Sequence, residues 1–243
     1  MVPGMIELGR RRSVSQSHLL ELLVGQLDDL VAGEWRPLDI LDVGGGTGGV
    51  AIPLAGRGHR VTVVDPSPDA LASLERRAAD GGVTDRIQAL QGDAADLVDL
   101  VPAHEADVVV CHRVLEVLDA PGEALRWMAG ALRRGGVLSL LVAQRHSVVL
   151  TQALAGHLAL ARRSYADPSR FDYDRVIRLV EGAGFTVLAS HGIGAISDQV
   201  PERVVEAEPG AYAELVALES EISTDPAFRA LAPHVHVLAQ HRD

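Results

Sequence analysis

Residues 41–49 read LDVGGGTGG, and this stretch decides the fold. Residues 38–43 form a short apolar run with Asp42 near its end, which predicts a buried strand. Gly44, Gly45, Gly46, Gly48 and Gly49 follow at once. They let the chain turn sharply and let a ligand press on bare backbone. Residues 50–55 then start a helix whose free N–H groups are expected to face that ligand. Residues 60–65 read as a second strand that ends in an acid, Asp65.

Two cofactor classes use such a strand, glycine loop and helix. Gly44-x-Gly46-x-x-Gly49 is the dinucleotide fingerprint, with Asp65 at about the 20-residue distance expected of a ribose-binding acid. The same residues fit Asp-x-Gly-x-Gly-x-Gly, starting at Asp42, the pattern of S-adenosylmethionine (SAM) enzymes. Asp42 separates the two. A carboxylate just before the loop suits a ligand carrying ammonium and sulfonium charge and sits badly beside a pyrophosphate. Without its surroundings the glycine run is weak evidence, since an ordinary tight turn also uses it.

Along the rest of the chain, strands alternate with helices. An opening helix over 15–32 precedes the first strand. Ser67 caps a helix reaching Asp80, and 87–90 is a third strand followed by QGDAADL. Residues 106–111, apolar but for Asp107, read as a fourth strand buried on both faces. A helix over 120–132 is closed by Arg133-Arg134-Gly135-Gly136, and 137–143 is a fifth strand. This alternation means a parallel sheet with right-handed crossovers, an α/β fold. Beyond 146 the rhythm changes: helices over 147–164, 173–181 and 211–222, and strands over 185–190 and 234–241. The chain reads as one domain over 1–243, with an N-terminal helical cap (1–35), a cofactor-binding core (36–146) and a substrate-side region (147–243).

Composition narrows the function. The 243 residues are 47% hydrophobic, enough for a sizeable core. With three Phe, three Tyr and two Trp, base-stacking surfaces cannot be extensive. A net charge of −11 argues against broad non-specific nucleic-acid binding but leaves room for a local basic patch. The single cysteine, Cys111, cannot form an intrachain disulfide and reads as a small core residue in a reducing compartment. The arginines at 10–12 are followed by no apolar signal core, and read as a solvated face or an anion contact. Glu21, Asp28 and Asp29 interrupt the stretch 19–31, making it an amphipathic helix and not a membrane span. The expected location is cytoplasmic, with no membrane partner and no metal.

With these motifs in order, the chain resembles class I SAM-dependent methyltransferases over about residues 36–243. The resemblance rests on LDVGGGTGG, VVDPS, QGDAADL, ADVVVCHRVLEVL and LRRGGVLSLLV. Within that class it is similar to the tRNA 5-carboxymethoxyuridine methyltransferases, through CHRVLEVLDAP, GGVLSLLVAQRH, VIRLVEGAGF and a C-terminal AELVALE…HVHVLAQ. The resemblance implies a Rossmann-like, seven-stranded, mostly parallel sheet whose last strand is inserted antiparallel, with helices on both faces. Its cofactor would be SAM and its acceptor a carboxylate on a modified tRNA uridine. Three departures bear on the acceptor. His18 stands where the family has an arginine that reaches the SAM carboxylate. Arg162 and Arg163 remain of a lysine-rich insertion. Residues 196–199, ISDQ, replace a histidine–aspartate–tyrosine stretch.

The site residues expected from this reading follow. Gly44, Gly45 and Gly46 cradle the cofactor. Asp42 orders that loop or holds the SAM ammonium. Asp65 accepts from both ribose hydroxyls, or else caps the following helix. Asp93, Ala94 and Ala95 lie beside the adenine, or else form a surface turn. His112, at the mouth of the sheet, contacts SAM by resemblance, or closes the strand end structurally. Gln144, Arg145 and His146 leave the fifth strand toward the same face, where Arg145 pairs with an anionic acceptor group or is a solvated surface residue. Arg113 and Arg170 are candidates of the same kind. An ionised carboxylate acceptor needs no general base; for a phenol or alcohol, His112 or His146 would be the first candidates. The alternatives are a small-molecule O-methyltransferase, a non-catalytic SAM-binding or regulatory protein, and a dehydrogenase.

Overall fold

The computed structural model describes residues 13–31 and 35–242; the arginines at 10–12 lie outside the described residues. Seven strands form one sheet: β1 (Asp39–Val43), β2 (Arg60–Asp65), β3 (Ile87–Gln91), β4 (Ala106–His112), β5 (Leu132–Ala143), β6 (Phe185–Ile193) and β7 (His234–His241). Their order is β3-β2-β1-β4-β5-β7-β6. Pairing is parallel from β3 to β5, and β7 lies antiparallel between β5 and β6. This is the seven-stranded sheet with an inserted antiparallel last strand that the resemblance implied.

Successive strand residues point to opposite faces, so each strand feeds two cores. On one face Ile40, Val61, Val63, Val108 and Val110 pack with buried residues of α1 (Val14–Leu30), α2 (Ala51–Gly56) and α3 (Pro68–Asp80). On the other, Leu41, Val43, Val109, Leu138 and Leu140 pack with α5 (Pro121–Ala131) and α8 (Tyr173–Gly182). In β4, residues 107–111 are all buried: Val108 to Cys111 are apolar on both faces, and Asp107 at the amino end is buried by its ion partners. Helix starts follow local chemistry: Ser67 Oγ accepts from the Ala70 N–H at 3.2 Å to cap α3, and Ser13 forms a capping box with Gln16 on α1.

The fold corrects two expectations. Residues 133–136 do not close a helix; β5 begins at Leu132, directly after α5, and includes them. Gly135 takes a left-handed φ of 71°, and the β4–β5 register jumps between Ala106 and Val108, so the run is an irregular strand start. Arg133 is held there because its guanidinium reaches Asp107 across the sheet. The stretch 147–164 is not one helix but two, α6 (Arg145–Leu154) and α7 (Leu158–Ala166), broken where Gly156 adopts φ 81°. Among the helices that periodicity did not indicate are α4 (Leu97–Leu100), α9 (Glu202–Ala207) and α11 (Pro226–Leu231); α10 (Ala211–Ile222) runs as expected.

An ion cluster clasps the amino edge of the sheet. Asp107 accepts from Arg36 Nη1 and Nη2 at 2.8 and 2.6 Å and from the Asp39 N–H at 2.9 Å, with Arg133 Nη1 at 2.9 Å. Burial by itself would raise the Asp107 carboxyl, but these donors together hold it below the usual carboxylate range. A depressed carboxylate pKa contributes stability above about pH 4, which is lost as pH falls through the folded value. Arg36 is half exposed, so its share is screened. Asp107→Ala is therefore expected to cost about 2–3 kcal/mol at pH 7. In urea denaturation the gap to wild type should narrow below about pH 4; a gap independent of pH would contradict the assignment.

Candidate active site

Parallel register brings three strand ends to one edge: Val43 lies opposite Val64 of β2 and Cys111 of β4. The chain leaves β1 through the glycine loop, tied back by the Gly44 N–H to Val64 O at 2.7 Å. Gly44 sits at φ 69°, and a Cβ there would lie 2.2 Å from Val114 Cγ2. A Cβ on Gly45 would lie 2.5 Å from the Asp42 carboxylate. The glycines are thus required by close approach of backbone to side chains, quite apart from any ligand. The helix that follows, α2, has only six residues, so the loop's own N–H groups matter more than a helix dipole.

The acids around this loop differ in state. Asp42 is buried, and its Oδ2 has no hydrogen-bond partner among the described residues. Burial first, and then the charge of Asp65, pushes its carboxyl up to about 7. Asp65 accepts from the Gly46 N–H through Oδ2 and from the Ser67 N–H through Oδ1, both at 2.9 Å. It therefore ties the loop tip to the end of β2 and orders the entry to α3, while each oxygen keeps lone-pair capacity for a further donor. Asp93 is exposed. Its Oδ1 accepts from the Ala95 N–H at 2.7 Å, and its own N–H donates to Asp96 at 2.9 Å, so it shapes a turn around the buried Ala94.

His112 ends β4 at the same edge. Its Nε2 lies 2.9 Å from Ser139 Oγ, and burial pushes its pKa down to about 3. Arg113, next along, has a left-handed φ of 61° despite its side chain, the kind of strained backbone that clusters at functional sites. Glu116 accepts from the Ala143 N–H and bridges the ends of β4 and β5; its Oε2 is buried without a partner among the described residues.

The remaining candidates are placed less favourably for ligand contact. Arg145 pairs with Asp172 and lies over the Tyr165 ring at 5.7 Å, so it is neither a waiting anion contact nor a solvated arginine. Arg170 pairs with Asp167 at 3.5 Å. Gln144 is buried and donates to Arg229 O and Ala232 O, closing α11. His146 lies half-buried in the first turn of α6. His18 is buried in α1; burial lowers its pKa, partly opposed by Glu219 of α10. Glu219, itself buried, accepts from the N–H groups of Ala195, Ile196 and Ser197 at 2.7, 3.2 and 2.8 Å.

Ser139, His236 and His191, which continue from His112 across β5, β7 and β6, were not singled out by sequence reasoning. The alternating HVHV of residues 234–237 was the one available signal, since it sets two histidines on one face of a strand. Among the described residues no group of three or more His, Cys, Asp or Glu could hold a metal ion, and no helix is long and apolar enough to cross a membrane. A cleft of about 560 Å³ lined by Ile40, Arg60, Ile87, Leu100 and Pro102 includes the amino ends of β1 and β2, away from these residues.

Comparison with known proteins agrees with this fold. Residues 41–140 match the family model described as a methyltransferase domain. The tRNA 5-carboxymethoxyuridine methyltransferase of Escherichia coli (strain K12) is 28% identical over 236 residues, covering 93% of this chain and 89% of that one. A ubiquinone biosynthesis O-methyltransferase of Methylocella silvestris is 34% identical over 148 residues, covering 56% of this chain and 54% of the relative. Among solved structures, the magnesium protoporphyrin IX methyltransferase of Synechocystis PCC 6803, with bound SAH, superposes with a TM-score of 0.61 at 15% identity, covering 94% of this chain and 84% of that one. The solved structure shares the fold, whereas the first relative follows the sequence past the core into the helices beyond residue 146, and so the chain carries a methyltransferase domain and resembles class I SAM-dependent methyltransferases, the tRNA 5-carboxymethoxyuridine methyltransferases among them.

Proposed function

We propose that this enzyme transfers the methyl group of SAM to a carboxylate on a modified uridine of tRNA. The observation that carries this reading is the 28% identity to a tRNA 5-carboxymethoxyuridine methyltransferase across 93% of the chain. Such coverage includes the region after residue 146, where the acceptor would bind. The residues at the carboxyl edge fit the cofactor: a buried carboxylate oxygen on Asp42 has no partner among the described residues and faces no counter-charge there.

In this reading the Gly44–Gly46 backbone cradles the amino-acid end, and Asp42 opposes its positive charge. Asp65 accepts from the ribose hydroxyls, and the turn at Asp93, Ala94 and Ala95 borders the adenine. His112 contacts the bound ligands at the end of β4. SAM supplies an electrophilic methyl group on a sulfonium. The protein's contribution is alignment for in-line displacement and exclusion of water. A carboxylate acceptor arrives ionised, so no side chain has to remove a proton.

A second reading, a small-molecule acceptor, is favoured by a specific observation. Arg145 and Arg170 are already paired with Asp172 and Asp167, which leaves few cations to meet a polyanion on a chain of net charge −11. The exposed Arg162 and Arg163 of α7 then become decisive. If tRNA is the acceptor, changing both to Glu should weaken tRNA binding and reduce the slope of log K against log salt by roughly one to two. Tritium from labelled SAM should enter total tRNA in preference to a metabolite extract. Absence of salt-sensitive tRNA binding by the wild type would transfer the assignment to a small molecule.

Asp42 adds a pH dependence. Its raised pKa means that the folded, ligand-free protein holds a proton that the unfolded chain releases; that stability is present at low pH and is lost as pH rises to about 7. Binding of cationic SAM favours the ionised carboxylate. Affinity should therefore rise with pH through about 7, level off above it, and fall about tenfold per unit well below it. Calorimetry in two buffers of different ionisation enthalpy should detect proton release near neutrality, and Asp42→Asn should abolish both effects. A pH-independent affinity in the wild type would show that Asp42 does not face the cation.

A further inference from the structure

Behind His112 lies a row of buried polar side chains on the sheet face that α1 covers. Ser139 of β5 is fully buried, and its Oγ is 2.9 Å from Nε2 of His112 and 2.9 Å from Nε2 of His236 on β7. The two rings meet edge to face, with centroids 6.0 Å apart. His191 of β6 stacks on His236 at 5.8 Å, and His18 of α1 is close enough to influence both. The Nδ1 atoms of His112, His191 and His236 are all buried without a hydrogen-bond partner among the described residues.

A serine hydroxyl has one hydrogen. Ser139 can donate to only one of the two Nε2 atoms and must accept from the other. The two neutral rings are therefore opposite tautomers: one carries its hydrogen on Nε2, the other on Nδ1. Burial keeps both rings neutral, with the mutual repulsion of His112, His191 and His18 adding to it at His236.

Two arrangements satisfy Ser139, and they differ in where an unmet N–H is left. If Ser139 donates to His236, then His236 carries a hydrogen on Nδ1, an N–H without an acceptor on a ring that is fully buried. If Ser139 donates to His112, the Nδ1 hydrogen is on His112, and His236 keeps only a bare lone pair. Buried N–H groups are rarely left unpaired, and unmet acceptors are better tolerated. Nδ1 of His112 is buried too, but His112 closes β4 at the carboxyl edge, beside the proposed ligand site, whereas His236 is fully buried within β7.

We propose that Ser139 and His236 are positioning residues that lock His112 as its Nδ1–H tautomer, so that it offers a neutral N–H to a carboxylate oxygen at the carboxyl edge and does not act there as a base. The inference rests on the reading that His112 contacts the bound ligands. The carboxylate belongs either to the amino-acid end of the cofactor or to the methyl acceptor. Withdrawing the hydrogen-bond chain would let His112 turn its lone pair toward that oxygen, replacing attraction by repulsion.

The first test uses the full-length protein with ¹⁵N-labelled histidine and no ligand. Long-range ¹H–¹⁵N correlation should show His112 protonated on Nδ1 and His236 on Nε2. The reverse pair, the same tautomer on both rings, or a charged His112 at pH 7 overturns the proposal. This measurement does not depend on the functional reading. The second test compares His236→Gln, whose amide can still donate to Ser139, with His236→Phe, which fills the space without a donor. His236→Phe should weaken binding about tenfold or more, the size expected for a hydrogen bond to a charged group, while His236→Gln stays close to wild type. A loss for SAM but not for decarboxylated SAM assigns the carboxylate to the cofactor. Unchanged cofactor binding with a lower kcat/KM on tRNA bearing 5-carboxymethoxyuridine assigns it to the acceptor. Equal losses in both variants, or none in either arm, would leave Ser139 and His236 a purely structural role and refute the proposal.

Discussion

Because β1 pairs in parallel with β2 on one side and β4 on the other, three strands end together at one edge of the sheet. Everything proposed for the site depends on that register. A one-residue slip in a strand would turn its side chains to the opposite face. Asp42 would then leave the side of Gly45, and His112 would leave the side of Ser139. The register is held by apolar burial on both faces of the central strands and, at the opposite edge, by the cluster of Arg36, Asp39, Asp107 and Arg133. The sheet is clasped at its amino edge and left chemically open at its carboxyl edge.

The open edge carries polar groups whose requirements the described residues leave unmet. The Asp42 carboxyl is raised to about 7 by burial and then by the charge of Asp65. Oε2 of Glu116 and Nδ1 of His112 are buried without partners among the described residues. Buried groups of this kind cost free energy unless something satisfies them. Their concentration at the ends of β1 and β4 gives a physical reason for a charged, hydrogen-bonding ligand to bind there.

Much of this was legible in the sequence because it is locally encoded. The apolar run before Asp42, the Ser67 cap, the helix over 211–222 and the strand over 234–241 follow from period, capping and turn chemistry alone. The insertion of β7 between β5 and β6 came from resemblance, since no local signal says which strands pair. The same limit hid the contact from His112 through Ser139 to His236, which joins three strands across 124 residues of chain. It also hid whether an arginine is engaged: Arg145 and Arg113 read alike in sequence, yet one is paired with Asp172 while the other is exposed at a strained strand end. Residues 133–136 misled for a related reason. Two glycines after a helix ordinarily mark a stop, but Arg133 has a partner across the sheet that keeps the run within β5.

The choice of cofactor class rests on Asp42 more than on any other residue, and thermal melting tests it most directly. Melting curves with SAM, its demethylated product, NAD and NADP compare the two ligand classes that a glycine loop of this kind accepts. SAM and its product should raise Tm by about 5–10 °C at roughly a hundredfold excess over Kd, and the nicotinamide cofactors should leave it unchanged. Stabilisation by a nicotinamide cofactor, with none by SAM, would contradict it.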